Sequence, residues 1–129
     1  QSLDIPVIAN GEIWSVDDYF SCRERSGCDS IMLGRGAMVT PDLARQIKST
    51  LAAETIQVLD WQSVCRLLDN LYHLMLANPD LRDKYIAPRL KLWIKWLMPS
   101  YTQAEEMFTP LKKIKDPHLA IEFIKNFTA

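Results

Sequence analysis

The sequence predicts an α/β segment of two strand–helix units, followed by an all-α helical bundle domain. Two short apolar runs, Ile5 to Ala9 and Ser30 to Leu33, each stop at a loop that contains glycine, which is typical of buried parallel strands. All four glycines lie within the first 36 residues. From residue 60 onward, apolar residues recur every three or four positions, as on one face of a helix. We therefore place the boundary between residues 1–52 and residues 53–129.

A helix is predicted between the two strands. Ser15 is a good N-cap, two aspartates follow it in the first turn, and Gly27 stands where the helix would end. A strand, a helix and a second strand predict parallel pairing with a right-handed crossover. We expect strands buried on both faces, and a further helix capped at Thr40-Pro41. Because two strands cannot close a sheet, we expect this segment to be the end of a larger structure in a longer protein.

Four or five helices are predicted in the second segment, because it contains several residues that typically begin or interrupt a helix. Asp60 is a cap, Pro88 kinks or divides the run Leu81 to Met98, Thr102 and Glu105 form a capping box, and Asp116-Pro117 begins the last helix.

Composition excludes several classes of protein. At 129 residues, the chain is too short for a complete (β/α)₈ barrel of about 250 residues. A net charge of −1 with 48% hydrophobic residues indicates an ordinary globular chain. Three cysteines without CxxC spacing argue against a disulfide framework and a metal site. No apolar run approaches the ~18 residues of a membrane span, so we expect a cytoplasmic protein.

The loops after the two strands are candidates for holding a phosphate group, as the loops after the last strands of α/β barrels commonly do. Asn10 can hydrogen-bond a ligand oxygen, Gly11 and Gly34 allow close backbone approach, and Arg35 can neutralise an anion. Glu12 would repel phosphate and suits the hydroxyls of a cofactor. The alternative is that the glycines merely end strands and Arg35 is a solvated surface residue.

The helix after Pro88 has a basic face opposite its apolar stripe. Leu90, Ile94 and Leu97 fall with Trp93 on the core side, which leaves Arg89, Lys91, Lys95, Leu92 and Trp96 on the remaining arc. Basic groups neutralise phosphates and an exposed ring can stack on a base, so this arc suits RNA. The alternative is a solvated lysine face with Trp96 covered by another helix. Lys112, Lys113 and Lys115 add a second basic cluster.

Three stretches carry a resemblance to a known family. They are Ile5-Pro6-Val7-Ile8-Ala9-Asn10-Gly11-Glu12-Ile13-Trp14, Ser26-Gly27-Cys28-Asp29 with Met32-Leu33-Gly34-Arg35-Gly36-Ala37, and Arg89-Leu90-Lys91-Leu92-Trp93-Ile94-Lys95-Trp96-Leu97. The first two resemble the final barrel strands of tRNA-dihydrouridine synthases. The third resembles the tRNA-binding helix of subfamily C, in which tyrosine stands at the position of Trp96.

This resemblance implies the last two β/α units of a flavin-binding TIM barrel, then a helical tRNA-binding domain. It implies reduction of the C5–C6 bond of a tRNA uridine, at position 16 of the D loop if subfamily C holds, with NAD(P)H as electron donor. Asn10, Gly11, Glu12, Gly34 and Arg35 would bind flavin mononucleotide (FMN). Arg89, Lys91 and Trp96 would bind tRNA.

The catalytic cysteine of the family lies in an upstream motif, Asn-x-Gly-Cys-Pro, which these 129 residues do not contain. The resemblance therefore implies an inactive isolated chain with no catalytic residue of its own, which is also expected to self-associate through its unpaired strand edges. Two alternatives stay open: a flavin barrel oxidoreductase of a small metabolite, and a standalone helical module that binds RNA or protein.

Overall fold

The computed structural model describes residues 5–127. The chain forms two compact units, Gln1–Val58 and Leu59–Ala129, so the division lies slightly beyond the boundary placed from sequence. Within the described part, every helix is too short or too polar to cross a membrane.

The first unit alternates strands and helices. Its elements are β1 Ile8–Asn10, α1 Val16–Ser26, β2 Ser30–Met32, α2 Gly36–Val39 and α3 Leu43–Leu51. The two strands pair in parallel, with Ile8 opposite Ser30 and Asn10 opposite Met32, as the order of elements predicts. A small core of Ile13, Leu43 and Ile47 holds the helices against the strands.

The ends of α1 follow the sequence prediction. The Ser15 hydroxyl accepts a hydrogen bond from the backbone N–H of Asp18, and the Asp18 carboxylate accepts from the N–H of Ser15. Hydrogen bonds from Ser15, first through its side chain, and from Trp14 hold the pKa of Asp18 below its ordinary value. At the other end, Gly27 has a left-handed φ of 66°, which a side chain would disfavour.

Two expectations for the first unit need correction. The helix expected after Thr40 is present as α3, but it starts at Leu43 and not at Pro41, because residues 41–42 form a turn in which the N–H of Leu43 donates to the carbonyl of Thr40. A short helix that was not expected, α2, precedes it, and its single turn forms as the N–H of Met38 donates to the carbonyl of Arg35. The strands are not buried on both faces. Ile8 is 61% and Met32 52% exposed, since a two-stranded sheet has nothing to cover its outer surface.

In its described residues, 59–127, the second unit contains four α-helices around one apolar core. They are α4 Trp61–Ala77, α5 Ile86–Leu97, α6 Thr102–Leu111 and α7 Pro117–Asn126, with a single 3₁₀ turn at Asp83–Tyr85. The fully buried side chains come from every helix, including Val64, Leu90, Ile94, Met107, Leu111, Ile121 and Ile124.

The predicted caps of α4 and α7 are present. The Asp60 carboxylate accepts from the N–H of Ser63 at 2.6 Å, and Asp116 accepts from Leu119 at 2.8 Å. The expected capping box of Thr102 and Glu105 is wrong. Tyr101 precedes α6 and no side chain caps that end, because the chain leaving α5 turns through hydrogen bonds from Ser100 and Tyr101 to the carbonyl of Leu97.

Pro88 was expected to kink or divide a helix, and it does neither. It lies in the first turn of α5, which begins at Ile86. Proline is tolerated there because the first N–H groups of a helix have no partner within it.

Candidate functional site

The loops after β1 and β2 meet at one small cavity. The strands end side by side, with Asn10 opposite Met32, so their following residues converge. The cavity has a volume of about 160 Å³, and its lining residues are Asn10, Glu12, Ile13, Trp14, Leu33, Gly34, Arg35 and Gly36. The structure therefore brings together four of the five residues that the sequence nominated in this unit, and places Gly11 outside the lining.

Three side chains at this cavity form a connected group. The Arg35 Nη2 atom donates to Glu12 Oε1 at 2.7 Å. Glu12 Oε2 accepts a second hydrogen bond, from Trp14 Nε1 at 2.9 Å. The guanidinium carbon of Arg35 also lies 5.3 Å from the centre of the Trp14 ring, within the range of a cation–π contact. The charge that was expected to face an anion therefore has a carboxylate partner.

The backbone of the two loops includes two left-handed residues. Gly34 has a φ of 54° and Glu12 a φ of 50°; for a non-glycine residue this conformation is uncommon. A Cβ atom at Gly34 would stand 3.8 Å from Asn10 Oδ1, on the side of the cavity, whereas one at Gly11 would make only an ordinary contact with Cys22 Sγ. The backbone conformation thus favours glycine at Gly34, where a side chain would introduce strain, and it does not favour glycine at Gly11.

Sequence reasoning missed four of the eight lining residues, Ile13, Trp14, Leu33 and Gly36, and two of them shape the site. Trp14 was not nominated, although it stands only two positions after Glu12. Gly36 was not nominated as a binding residue, and a Cβ atom there would overlap the carbonyl oxygen of Ile13. That overlap shows that Gly36 lets the second loop pack directly against the first. The sequence signal that could have identified Gly36 is Gly34, two positions earlier, because glycines allow a close approach of the backbone.

The size of the cavity suits one end of a ligand rather than a whole cofactor. Pockets for whole cofactors measure about 300–1,000 Å³, more than the 160 Å³ found here. The Arg35 guanidinium carries five N–H donors, of which Nη2 serves Glu12. Asn10, Gly34 and Arg35 therefore fit a phosphate group, and the carboxylate of Glu12 does not.

The second candidate surface lies on α5. Leu90, Ile94 and Leu97 are fully buried, which confirms the predicted core side. Arg89 is exposed, and Lys91 and Trp96 are half-buried. Leu92 is 51% exposed, so an apolar side chain does stand among the basic ones.

Lys91 connects the two basic clusters predicted from sequence. Its Nζ atom donates to the backbone carbonyl of Lys112 at 3.0 Å. Lys112 in turn places its ammonium 4.4 Å from the centre of the Phe108 ring. The ammonium group of Lys91 therefore lies against the backbone of the segment after α6.

A larger cavity in the second unit, about 720 Å³, lacks the features of a reactive site. Lys125 at its wall is paired with Asp69 at 3.3 Å and Glu122 at 3.4 Å. Burial raises the pKa of the Cys65 thiol to about 11, which leaves it protonated and unreactive at neutral pH. Across residues 5–127, no cluster of histidine, cysteine or carboxylate side chains is arranged to hold a metal ion.

Comparison with known proteins places this architecture in a family. The family model described as dihydrouridine synthase matches residues 1–126. The chain belongs to the dihydrouridine synthase family. Dihydrouridine synthases are TIM-barrel oxidoreductases that are generally flavin-dependent, and two parallel strands joined by a helix are consistent with part of such a barrel.

Curated relatives share this placement. The chain is 37% identical over 115 residues to the tRNA-dihydrouridine(16) synthase of Neisseria meningitidis serogroup A, which covers 89% of this chain and 34% of the relative. It is 39% identical over 112 residues to the tRNA-dihydrouridine(16) synthase of Aquipseudomonas alcaligenes, and the aligned part is 87% of this chain and 35% of the relative. The tRNA-dihydrouridine(16) synthase of Yersinia pestis is 38% identical over 127 residues, and the aligned part is 96% of this chain and 38% of the relative. The chain therefore spans about a third of the length of these dihydrouridine synthases.

Proposed function

We propose that this chain is the C-terminal portion of an FMN-dependent tRNA-dihydrouridine synthase of subfamily C. The whole protein would reduce the uridine at position 16 of the tRNA D loop to 5,6-dihydrouridine, with NAD(P)H as electron donor. The names of the relatives at 37–39% identity support the substrate and its position. On this proposal residues 1–52 end the flavin-binding barrel and residues 53–129 are the helical tRNA-binding domain.

The observation that carries the proposal is the shared cavity of the two strand-end loops. Asn10 and Arg35 come from different loops, yet both line it. We assign Asn10, Gly34 and Arg35 to the phosphate end of FMN. An amide side chain, a glycine that lets the backbone approach closely and a guanidinium are the groups expected to bind a phosphate. Glu12 belongs to the cofactor-binding set through its ion pair to Arg35, and Gly11 belongs to it only as part of the loop between Asn10 and Glu12, since it lies outside the cavity lining.

Reduction of the uracil ring needs a hydride at one carbon and a proton at the other. FMN, once reduced by NAD(P)H, would supply the hydride. The residues of this chain hold the cofactor: Arg35 neutralises its phosphate, and Asn10 orients it by hydrogen bonding. The proton would come from the upstream cysteine of the family, and none of Cys22, Cys28 and Cys65 takes that role. The isolated chain is accordingly proposed to be inactive.

The basic face of α5 is assigned to tRNA. Arg89 is exposed, Lys91 and Trp96 are half-buried, and Lys91 contacts the backbone of Lys112, in the segment that carries the second basic cluster. Lysine and arginine neutralise phosphates, and an indole can pack on a base or ribose. The target uridine must leave the stacked RNA to be reduced, so the second unit would hold tRNA in register for that event.

The binding of tRNA to the purified chain tests this assignment. Arg89→Ala should weaken affinity and reduce the slope of log K against log salt by about 1, because one phosphate contact is lost. Lys48→Ala, which removes an exposed charge from the first unit, is the matched control and should leave the slope unchanged. Equal slopes for wild type and Arg89→Ala would contradict the proposed RNA surface.

A further inference from the structure

The side chain of Arg35 is held from two directions although it is largely exposed. It is 59% exposed, and its partner Glu12 is 70% exposed. A single ion pair between exposed side chains contributes little, and fixing a long arginine side chain costs rotamer entropy that can offset that contribution. Glu12 alone is therefore a weak anchor for the guanidinium.

Trp14 strengthens this anchor. It donates its indole N–H to the second oxygen of Glu12, so the two carboxylate oxygens have different donors. Its ring also faces the guanidinium at 5.3 Å. The backbone N–H of Trp14 donates to Asp18 at 3.1 Å, which ties Trp14 to the capped start of α1.

We propose that Glu12 and Trp14 are positioning residues that hold the Arg35 guanidinium at the cavity for a phosphate group. This inference rests on the proposed function. Neither residue binds the phosphate: the Glu12 carboxylate is anionic, and the indole N–H serves Glu12. The remaining N–H groups of Arg35 bind the phosphate oxygens, together with Asn10. Asp18 at the cap of α1 holds Trp14, Trp14 holds Glu12, and Glu12 holds Arg35.

The test is a titration of the ¹⁵N-labelled 129-residue chain with inorganic phosphate, followed by NMR. Glu12→Gln and Glu12→Ala have the same charge, but only glutamine keeps an acceptor for Arg35. We expect Glu12→Ala to bind phosphate about threefold more weakly than Glu12→Gln, the size expected for one exposed charged contact. Trp14→Phe keeps a ring beside Arg35 but removes the indole donor, and we expect it to weaken binding about twofold to threefold.

A double variant separates positioning from a general structural effect. Trp14→Phe should have no further effect on phosphate affinity in the Glu12→Ala background, because the acceptor it serves is already gone. The Trp14 indole signal, identified by its absence from the Trp14→Phe spectrum, should also shift in Glu12→Ala before phosphate is added.

The outcomes distinguish this inference from the proposed function. Equal affinities of Glu12→Gln and Glu12→Ala would overturn the positioning role while leaving the phosphate site intact. An equal loss from Trp14→Phe in both backgrounds would overturn it as well. A wild-type chain whose Gly34 and Arg35 amide signals do not respond to phosphate would overturn the proposed cofactor loops and this inference with them.

Discussion

The ammonium group of Lys91 donates a hydrogen bond to the backbone carbonyl oxygen of Lys112 at 3.0 Å. Lys112 directly follows the last residue of α6. Carbonyl groups at the C-terminal end of a helix receive no hydrogen bond from a later N–H of the same helix. The contact therefore closes the end of α6 with a side chain from α5. It gives Lys91 a structural role beside the RNA-binding role that we propose for it.

Lys91→Met should loosen the C-terminal end of α6. The loss of one exposed charged hydrogen bond predicts a decrease of about 0.5–1 kcal/mol in the free energy of unfolding. Faster amide exchange is expected at Lys113 and Ile114, whose N–H groups bond to carbonyls of Pro110 and Leu111. Urea unfolding and hydrogen exchange provide the measurements. Lys95→Met removes an exposed charge from the same helix and serves as control; equal effects of the two variants would refute the capping role.

The helix cap at Asp60 predicts a loss of stability in acid. Hydrogen bonds from Ser63, first from its side chain, lower the pKa of Asp60 from its ordinary value of 3.8. A carboxylate whose pKa is depressed by folding stabilises the folded state above that ordinary value, and the stabilisation disappears as pH falls through the folded pKa. Asp60→Asn keeps a capping oxygen but does not titrate.

We therefore expect Asp60→Asn to lose less stability than wild type between pH 6 and pH 3, as measured by urea unfolding. Asp80→Asn changes an exposed aspartate in the turn after α4 and should follow the wild-type curve. If Asp60→Asn and Asp80→Asn gave the same pH dependence, the cap would have no measurable electrostatic role.

The three cysteines should differ sharply in reactivity. Cys65 is buried, its Sγ lies 3.7 Å from the carbonyl oxygen of Ile124, and burial raises its pKa to about 11. Since the thiolate is the reactive form, iodoacetamide at pH 8 should label Cys22 and Cys28, which are only half-buried, well before Cys65. Mass spectrometry of digested samples measures this order. Labelling of native Cys65 as fast as that of Cys22 would contradict the packing of α4 against α7.

Exposed apolar side chains on the two strands predict self-association of the chain. Ile8 and Met32 are 61% and 52% exposed, and unpaired strand edges accompany them. Ile8→Glu with Met32→Glu should shift sedimentation toward the monomer over a range of concentrations. Leu119→Glu, at a residue 60% exposed in the second unit, is the control. A wild-type chain that stays monomeric at every concentration would contradict this prediction.

The sequence predicted the helix ends that are fixed by residues close together in the chain. Ser15, Asp60 and Asp116 each cap a helix through the N–H of the residue three positions later, so the sequence spacing is itself the geometry. The parallel pairing of β1 and β2 likewise follows from the order of the elements.

Contacts between distant residues could not be predicted in this way. The close packing of Gly36 against Ile13 and the hydrogen bond from Lys91 to Lys112 depend on how whole segments pack. The same is true of Glu12, which sequence reasoning assigned to cofactor hydroxyls and which the structure pairs with Arg35. Charge alone identified Arg35 as a candidate, and only the folded chain identified its partners.

The central proposal is that this chain supplies both cofactor-binding loops and a tRNA surface to a dihydrouridine synthase. The most direct measurement replaces the matching segment of the Yersinia pestis relative, which aligns with 127 residues at 38% identity, by this chain. Dihydrouridine at position 16 is then quantified in tRNA from cells that lack their own enzyme. We predict that the chimera restores the modification and that its Arg35→Ala form retains less FMN and restores less. A folded, FMN-containing chimera that leaves uridine 16 unreduced would contradict the account.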